Sequence, residues 1–323
     1  MLTEDNKQEL VGNNMESGNT DSKNNGGSAL RGKVAVVAGA TRGAGRGIAS
    51  MLGEAGATVY CTGRSTRGNS TMEGRPECIE DTAELVTSYG GVGIAKRVDH
   101  SVESEVIALF EEIKANEGRL DILVNDIWGG ESLTEWGVPF WELSLEKGFA
   151  MMDQAIKTHI ITSRYGVPLM VSQGSGLIVE ITDGNHQTNH RYRGSLFYDF
   201  VKASIIRMSF GMAEELAAHN ITALSVSPGF LRSEAMLEHF GVTEENWRDG
   251  AKVDPHFIAS ETPFFVGRGI AALASDPDVH EKTGQALASW ELGRIYGLTD
   301  IDGSRPDWEA YLSPIMPEVF GKG

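Results

Sequence analysis

The sequence predicts an α/β protein, a doubly wound parallel sheet with helices on both faces folded as a single domain. Three observations lead there. Short runs of consecutive apolar, β-branched residues recur along the chain, as strands buried on both faces require. Segments with apolar residues at helical spacing alternate with those runs. No internal repeat or proline-rich linker interrupts the alternation.

The first strand is Val34-Ala35-Val36-Val37-Ala38, which begins abruptly after Lys33. A glycine-rich stretch from Gly39 to Gly47 breaks it, and Ile48, Ala49, Met51 and Leu52 then recur as a helix until Gly56. Thr58-Val59-Tyr60-Cys61 is the second strand, followed by a helix over 80–89, a strand over 92–98 and a helix over 102–115. Leu120-Asp121-Ile122-Leu123-Val124 is the fourth strand. A long helix over 145–171, a strand over 176–182, a helix over 195–219 and a strand over 222–226 complete the pattern. Right-handed crossovers make this one parallel sheet. The expected boundaries are a flexible tail over 1–29, a dinucleotide-binding domain over 30–303 and a C-terminal extension over 304–323. The tail is expected because thirteen of its first 28 residues are Asn, Gly or Ser, which cannot offset their ordering entropy by burial.

At 323 residues the chain is long enough to bury a large core without staples. Its 28 basic and 45 acidic residues give a net charge of −17, which argues against nucleic acid or an anionic membrane as partner. Cys61 and Cys78 make no disulfide framework, and the N-terminus lacks an apolar signal run. No stretch reaches the roughly 18 apolar residues of a membrane helix. A cytoplasmic location is expected.

Between the first strand and first helix lies Gly39-Ala40-Thr41-Arg42-Gly43-Ala44-Gly45. Glycines there permit a tight turn and let a phosphate approach bare backbone, and the helix start offers unpaired N–H groups to a pyrophosphate. In NAD sites an acidic residue about 20 residues on holds the ribose 2′-hydroxyl. Here the second strand runs into Cys61-Thr62-Gly63-Arg64, and no acid appears before Glu73. Arg42 and Arg64 suit a 2′-phosphate, so NADP is expected over NAD. Further on, Tyr198 and Lys202 lie four apart on one helix face. A nearby ammonium, together with the positive nicotinamide of the oxidised cofactor, is expected to favour the phenolate and ready Tyr198 for acid–base work.

Taken together, AGATRGAGRGIA, LVNDIWGG, YDFVK and SPGFLRSEA, with the ending TGQALASWELGRIYGLTDIDGSRP, resemble the short-chain dehydrogenase/reductase superfamily over about residues 30–302. The resemblance implies a Rossmann-type domain, a nicotinamide dinucleotide and a small carbonyl, imine or alcohol substrate. It implies Tyr198 as proton donor or acceptor and Lys202 on the nicotinamide ribose. Gly39, Thr41, Arg42, Gly43 and Gly45 would hold the cofactor, with Arg64, Asp99 near adenine, Asn125 at the fourth strand end, and the turn Pro228-Gly229. A homodimer or homotetramer is implied as well.

Two positions depart from the family pattern. Asp183 takes the place of the catalytic serine, although a slip in alignment would let Thr182 supply the hydroxyl; Ala155 falls where the family has a helix asparagine. An ionised Asp cannot donate a hydrogen bond to a carbonyl oxygen, so Asp183 is either protonated, paired with a cationic or iminium substrate, or a sign of weak catalysis. A dinucleotide-binding sensor with little turnover is therefore the rival function. Trp128, Trp136, Phe140 and Trp141 form either a pocket wall or a subunit interface. His186 and His190 lie in a polar segment without a third ligand, so no metal site is read from them, although His186 could touch substrate.

Overall fold

The computed structural model describes residues 29–71 and 74–317. Most of the expected tail and the end of the expected C-terminal extension lie outside the described residues. Seven strands form one parallel sheet: β1 (Val34–Ala38), β2 (Thr58–Gly63), β3 (Val92–Arg97), β4 (Ile122–Asn125), β5 (Gly176–Ile181), β6 (Ile221–Ser227) and β7 (Ala286–Ala288), in spatial order β3-β2-β1-β4-β5-β6-β7. The helices are α1 (Gly43–Glu54), α2 (Ile79–Ser88), α3 (Glu103–Asn116), α4 (Leu145–Met152), α5 (Thr158–Gln173), α6 (Leu196–Leu216), α7 (Glu234–His239), α8 (Pro263–Ser275), α9 (Ser289–Tyr296) and α10 (Trp308–Leu312).

Alternation along β1 shows why its apolar run is unbroken. Ala35 and Val37 point into a core with Ile48 and Leu52 of α1, Val86 of α2 and Val266, Ile270 and Leu273 of α8. Val34 and Val36 point the other way, toward Val106, Phe110 and Ile113 of α3, Met170 of α5 and Leu216 of α6. Both faces are buried, so every position must be apolar. On the first face α1 and α8 touch backbone to backbone. A Cβ on Gly47 would lie 2.0 Å from the Pro263 carbonyl oxygen, and one on Gly267 would lie 2.5 Å from that of Gly47.

The long helix expected over 145–171 is two helices joined by a π-turn, Asp153–Lys157. Ala155 is buried within that turn. A third cluster forms beneath it, where Met151 and Ala155 meet Val201 and Ile205 of α6 with Phe197 and Tyr198 packed against them. After β6 the chain departs from strand–helix alternation. Phe230 meets Phe240, Phe257 and Trp308 edge-to-face, and α10 is tied back by Arg294 to Asp307 and Glu309. Arg232 is buried in this part, its guanidinium 3.9 Å from the Trp247 ring centroid and 3.0 Å from Asp302.

Two glycine substitutions should move stability in opposite directions. Gly47→Ala drives a methyl into the α8 backbone and should cost about 1–3 kcal/mol. Gly211→Ala, in α6 with nothing within 4 Å of the added Cβ, should gain about 0.5–1 kcal/mol from helix propensity. Urea denaturation of both variants measures the pair.

Candidate active site

Strand order reverses between β1 and β4, and above that switch point opens a cavity of about 790 Å³. Its wall comes from the carboxyl ends of successive strands: Gly39 after β1, Arg64 after β2, Asp99 after β3, Asp126 and Trp128 after β4, Asp183 after β5 and Pro228 after β6. Open α/β sheets bind ligands in this crevice. Thr41, Arg42, Gly43, Tyr198, Lys202 and Gly229 line it as well.

The glycine loop fits a dinucleotide. Gly39 has φ +93°, and a Cβ there would lie 2.3 Å from the Asp126 carbonyl oxygen. Gly45 allows the loop to fold on itself, since its Cβ would meet the Gly39 carbonyl oxygen at 2.3 Å. The N–H groups at the start of α1 already hold carboxylates. Gly43 donates to Glu234 Oε2 at 2.8 Å, and Gly45 donates to the Asp126 carboxyl. Anions gather there because unpaired N–H groups and the helix dipole favour negative charge, and a pyrophosphate meets the same donors. Neither acid was expected at this helix start. Glu234 lies 191 residues from Gly43, beyond the reach of local pattern. Burial pushes the Asp126 carboxyl up to about 7, against the opposing effect of the Lys202 charge.

At the other end of the cavity, α6 presents Tyr198 and Lys202 on one face. The Tyr198 hydroxyl donates to Asp183 Oδ2 at 2.9 Å. Burial and the Asp183 carboxylate together raise the phenol well above its ordinary value. In the cofactor-free protein desolvation first, and then the Asp183 charge, set this direction, opposite to the one expected from a lysine and an oxidised nicotinamide together. Burial lowers Lys202 in turn, and its Nζ stands 4.0 Å from the Trp128 ring centroid. Thr182 lines the cavity as well, but its Oγ1 donates to the Lys202 carbonyl at 2.8 Å, so this hydroxyl ties β5 to α6. Asp183 therefore holds the position beside Tyr198. Arg193 supports the loop after it, donating to the Asp183 carbonyl at 2.8 Å and to Asp199 at 2.7 Å.

Beneath this floor lies a buried polar group that sequence reading missed. His159 Nε2 faces the Ile127 carbonyl at 3.1 Å, and Nδ1 faces Glu180 Oε2 at 2.6 Å. A carbonyl only accepts, so Nε2 carries a proton, and a second proton lies between Nδ1 and Glu180. Asn125 Nδ2 donates to Glu180 Oε1 at 2.7 Å and to Ser163 at 2.9 Å. Asn125 is thus removed from the cavity wall where a cofactor contact was expected; the next residue, Asp126, takes that place. The network fixes Ile127 and hence Trp128, whose ring meets Tyr198 edge-on at 5.7 Å. A signal existed in the sequence: Glu180 interrupts the otherwise apolar run of β5.

The aromatic segment after β4 divides. Trp128 and Trp136 pack on Tyr198, whereas Phe140 and Trp141 are exposed, Trp141 by 72%. Asp99 accepts the N–H and hydroxyl of Ser101 at the cavity edge. Arg67, by contrast with Arg64, turns to Asp81 and Glu84 on the surface. His186 lies against the Ala286 carbonyl and Glu291 and does not line the main cavity. Behind the Pro228-Gly229 turn sits buried Glu261, which accepts the Ser289 hydroxyl at 2.6 Å. Burial pushes its carboxyl up to about 8.

This is a dinucleotide-type crevice with a tyrosine–lysine pair on its wall. The short chain dehydrogenase family model matches residues 33–240, and the chain belongs to the short-chain dehydrogenase/reductase family. It is 37% identical over 279 residues to mouse "Dehydrogenase/reductase SDR family member 1", covering 85% of each chain. To the human protein of the same name it is 34% identical over 299 residues, 91% of each. Among solved structures it is similar to a short chain dehydrogenase of Mycobacterium thermoresistibile, with TM-score 0.70 and 20% identity over 86% of this chain and 92% of that one. A putative short-chain dehydrogenase/reductase of Burkholderia xenovorans gives 0.63 and 26%, over 81% and 96%.

Two outcomes follow from the carboxylates. Glu234→Gln removes an anion that competes with phosphate for Gly43 N–H, and should tighten nicotinamide dinucleotide binding about 3- to 10-fold in a fluorescence titration. Glu261 is raised in the folded state, so the fold holds more protons than the unfolded chain between the ordinary carboxylate range and about pH 8. Stability is therefore lost as pH rises through that window, on the order of a few kcal/mol. Denaturation across this range should show Glu261→Gln with the flatter profile.

Proposed function

We propose that the chain is an NADP(H)-dependent oxidoreductase acting on a small substrate whose reacting carbon is doubly bonded to oxygen or nitrogen, or on the corresponding alcohol or amine. The observation that carries this reading is that Tyr198, Lys202 and the glycine loop wall one crevice at the carboxyl ends of the strands. A bound nicotinamide supplies or takes the hydride. Tyr198 handles the proton on the substrate heteroatom, with Asp183 as the acceptor already joined to its hydroxyl. Lys202, buried against Trp128, would hold the nicotinamide ribose. Trp128 and Trp136 shield the reacting region from water.

For the phosphorylated dinucleotide the supporting residues are Arg42 and Arg64. Both line the cavity at the ends of β1 and β2, and β2 runs from Gly63 directly into Arg64, whose charge also acts on Asp99 of the next strand end. A guanidinium pair binds a 2′-phosphate and a carboxylate repels it. Exposed Leu145 and Phe149 of α4 and Phe200 of α6, with Trp141 nearby, support assembly as a homodimer or homotetramer. Among the described residues no helix is long and apolar enough to cross a membrane, and Cys61 and Cys78 are free and buried. Both observations suit a reducing, cytoplasmic setting.

Following NADPH oxidation over a panel of carbonyl and imine substrates tests the reading. Tyr198→Phe should lower kcat on the carbonyl substrates by about 10²- to 10⁴-fold while dinucleotide binding persists. Arg64→Glu should raise the KM for NADPH at least about tenfold and leave that for NADH little changed. Tight dinucleotide binding with no turnover on any substrate would assign the chain to the sensor class instead.

A further inference from the structure

We propose that the substrate this site prefers is a cation, a protonated imine or cyclic iminium reduced to an amine, with Asp183 as the residue that selects it. The proposal rests on the hydride-transfer reading above and names its substrate class.

The direction of one hydrogen bond comes first. Tyr198 donates to Asp183 Oδ2, so Asp183 acts as an acceptor. Its side chain is 49% exposed and lines the cavity, offering a carboxylate to whatever lies beside the phenol. The nearest guanidinium, Arg193, stands 4.0 Å from that oxygen and is committed to Asp199 at 2.7 Å and to the Asp183 main chain. With Arg193 and Asp199 paired, the charges around Tyr198 are Asp183 and Glu131 against Lys202, with buried Asp126 below. The walls are aromatic. Trp128 already carries one ammonium on its face at 4.0 Å, and Trp136 packs on Tyr198 at 5.0 Å. Carboxylate and π-faces together favour a positive ligand.

The chemistry discriminates in the same direction. Hydride addition to a ketone places a full negative charge on oxygen. Here that oxygen would develop beside the Asp183 carboxylate, and the one nearby hydroxyl proton is shared with that same carboxylate. Like charges at such range repel even where one of them is half exposed. Hydride addition to an iminium carbon instead sends the C=N π pair onto nitrogen and abolishes the substrate charge. No proton moves in that step. The reduced nicotinamide is the two-electron reductant and leaves oxidised; the neutral amine takes its proton afterwards from water. A protonated imine would also donate its N–H to Asp183.

The test compares the full-length enzyme with Asp183→Asn and Asp183→Glu, using NADPH with N-methyl dihydroisoquinolinium and the matched ketone tetralone. Iminium ions are intrinsically more electrophilic, so the decisive quantity is the iminium-to-ketone ratio of kcat/KM in each protein. Asp183→Asn should lower that ratio at least about tenfold, Asp183→Glu should largely restore it, and the iminium KM should carry much of the change. A second measurement needs no variant. N-methyl tetrahydroisoquinoline, a cation, should inhibit the wild-type enzyme at least about tenfold more tightly than neutral tetralin. A ratio unmoved by Asp183→Asn, or equal inhibition by cation and neutral isostere, overturns the proposal and leaves ketone reduction standing. No turnover on either substrate defeats the hydride-transfer reading and this one together.

Discussion

The hydrogen bond from Tyr198 to Asp183 decides how the upper half of this site is built. A carboxylate at the end of β5 cannot donate to a substrate oxygen, so it accepts a hydrogen bond from the phenol instead and holds that phenol in its neutral form. Desolvation of the phenol adds to the effect of the carboxylate beside it. The neighbouring side chains accommodate it. The Thr182 hydroxyl is engaged by the Lys202 backbone, Arg193 ties the following loop to the Asp183 carbonyl, and Trp128 and Trp136 close over the ring.

The lower half is organised by different means. Its floor is a buried acid and histidine that share protons and fix the backbone at Ile127. Buried ionisable groups persist when their partners are complete, and here Asn125 and Ser163 satisfy the remaining Glu180 oxygen. At the dinucleotide end, Glu234 on α7 reaches across to the start of α1. That contact joins the segment after β6 to the glycine loop, so ligand binding and the position of this segment are linked through one set of N–H donors.

Much of the architecture was legible in the sequence because the strands are buried on both faces. Such strands leave unbroken apolar runs, and β1, β2, β5 and β6 lie within a residue or two of where those runs place them. The glycine loop could be read for a similar local reason, since a tight turn and a close backbone approach allow few residues besides glycine. What escaped reading was set by distance along the chain. The π-turn at Asp153–Lys157 leaves no mark on apolar spacing, and β7 is three residues long in a region of short elements. Asn125 reads as a wall residue until Glu180, 55 positions away, is seen to claim it. The direction of the Tyr198 shift is set first by burial and then by the Asp183 carboxylate, and sequence order reveals neither.

The most direct measurement is an NMR titration of the cofactor-free protein labelled at the tyrosine Cζ, with Tyr198→Phe to assign the signal. The account predicts that the Tyr198 phenol stays neutral through the range in which an ordinary tyrosine ionises, and that Asp183→Asn brings it down. A phenolate forming below that ordinary range in the wild-type protein would contradict it.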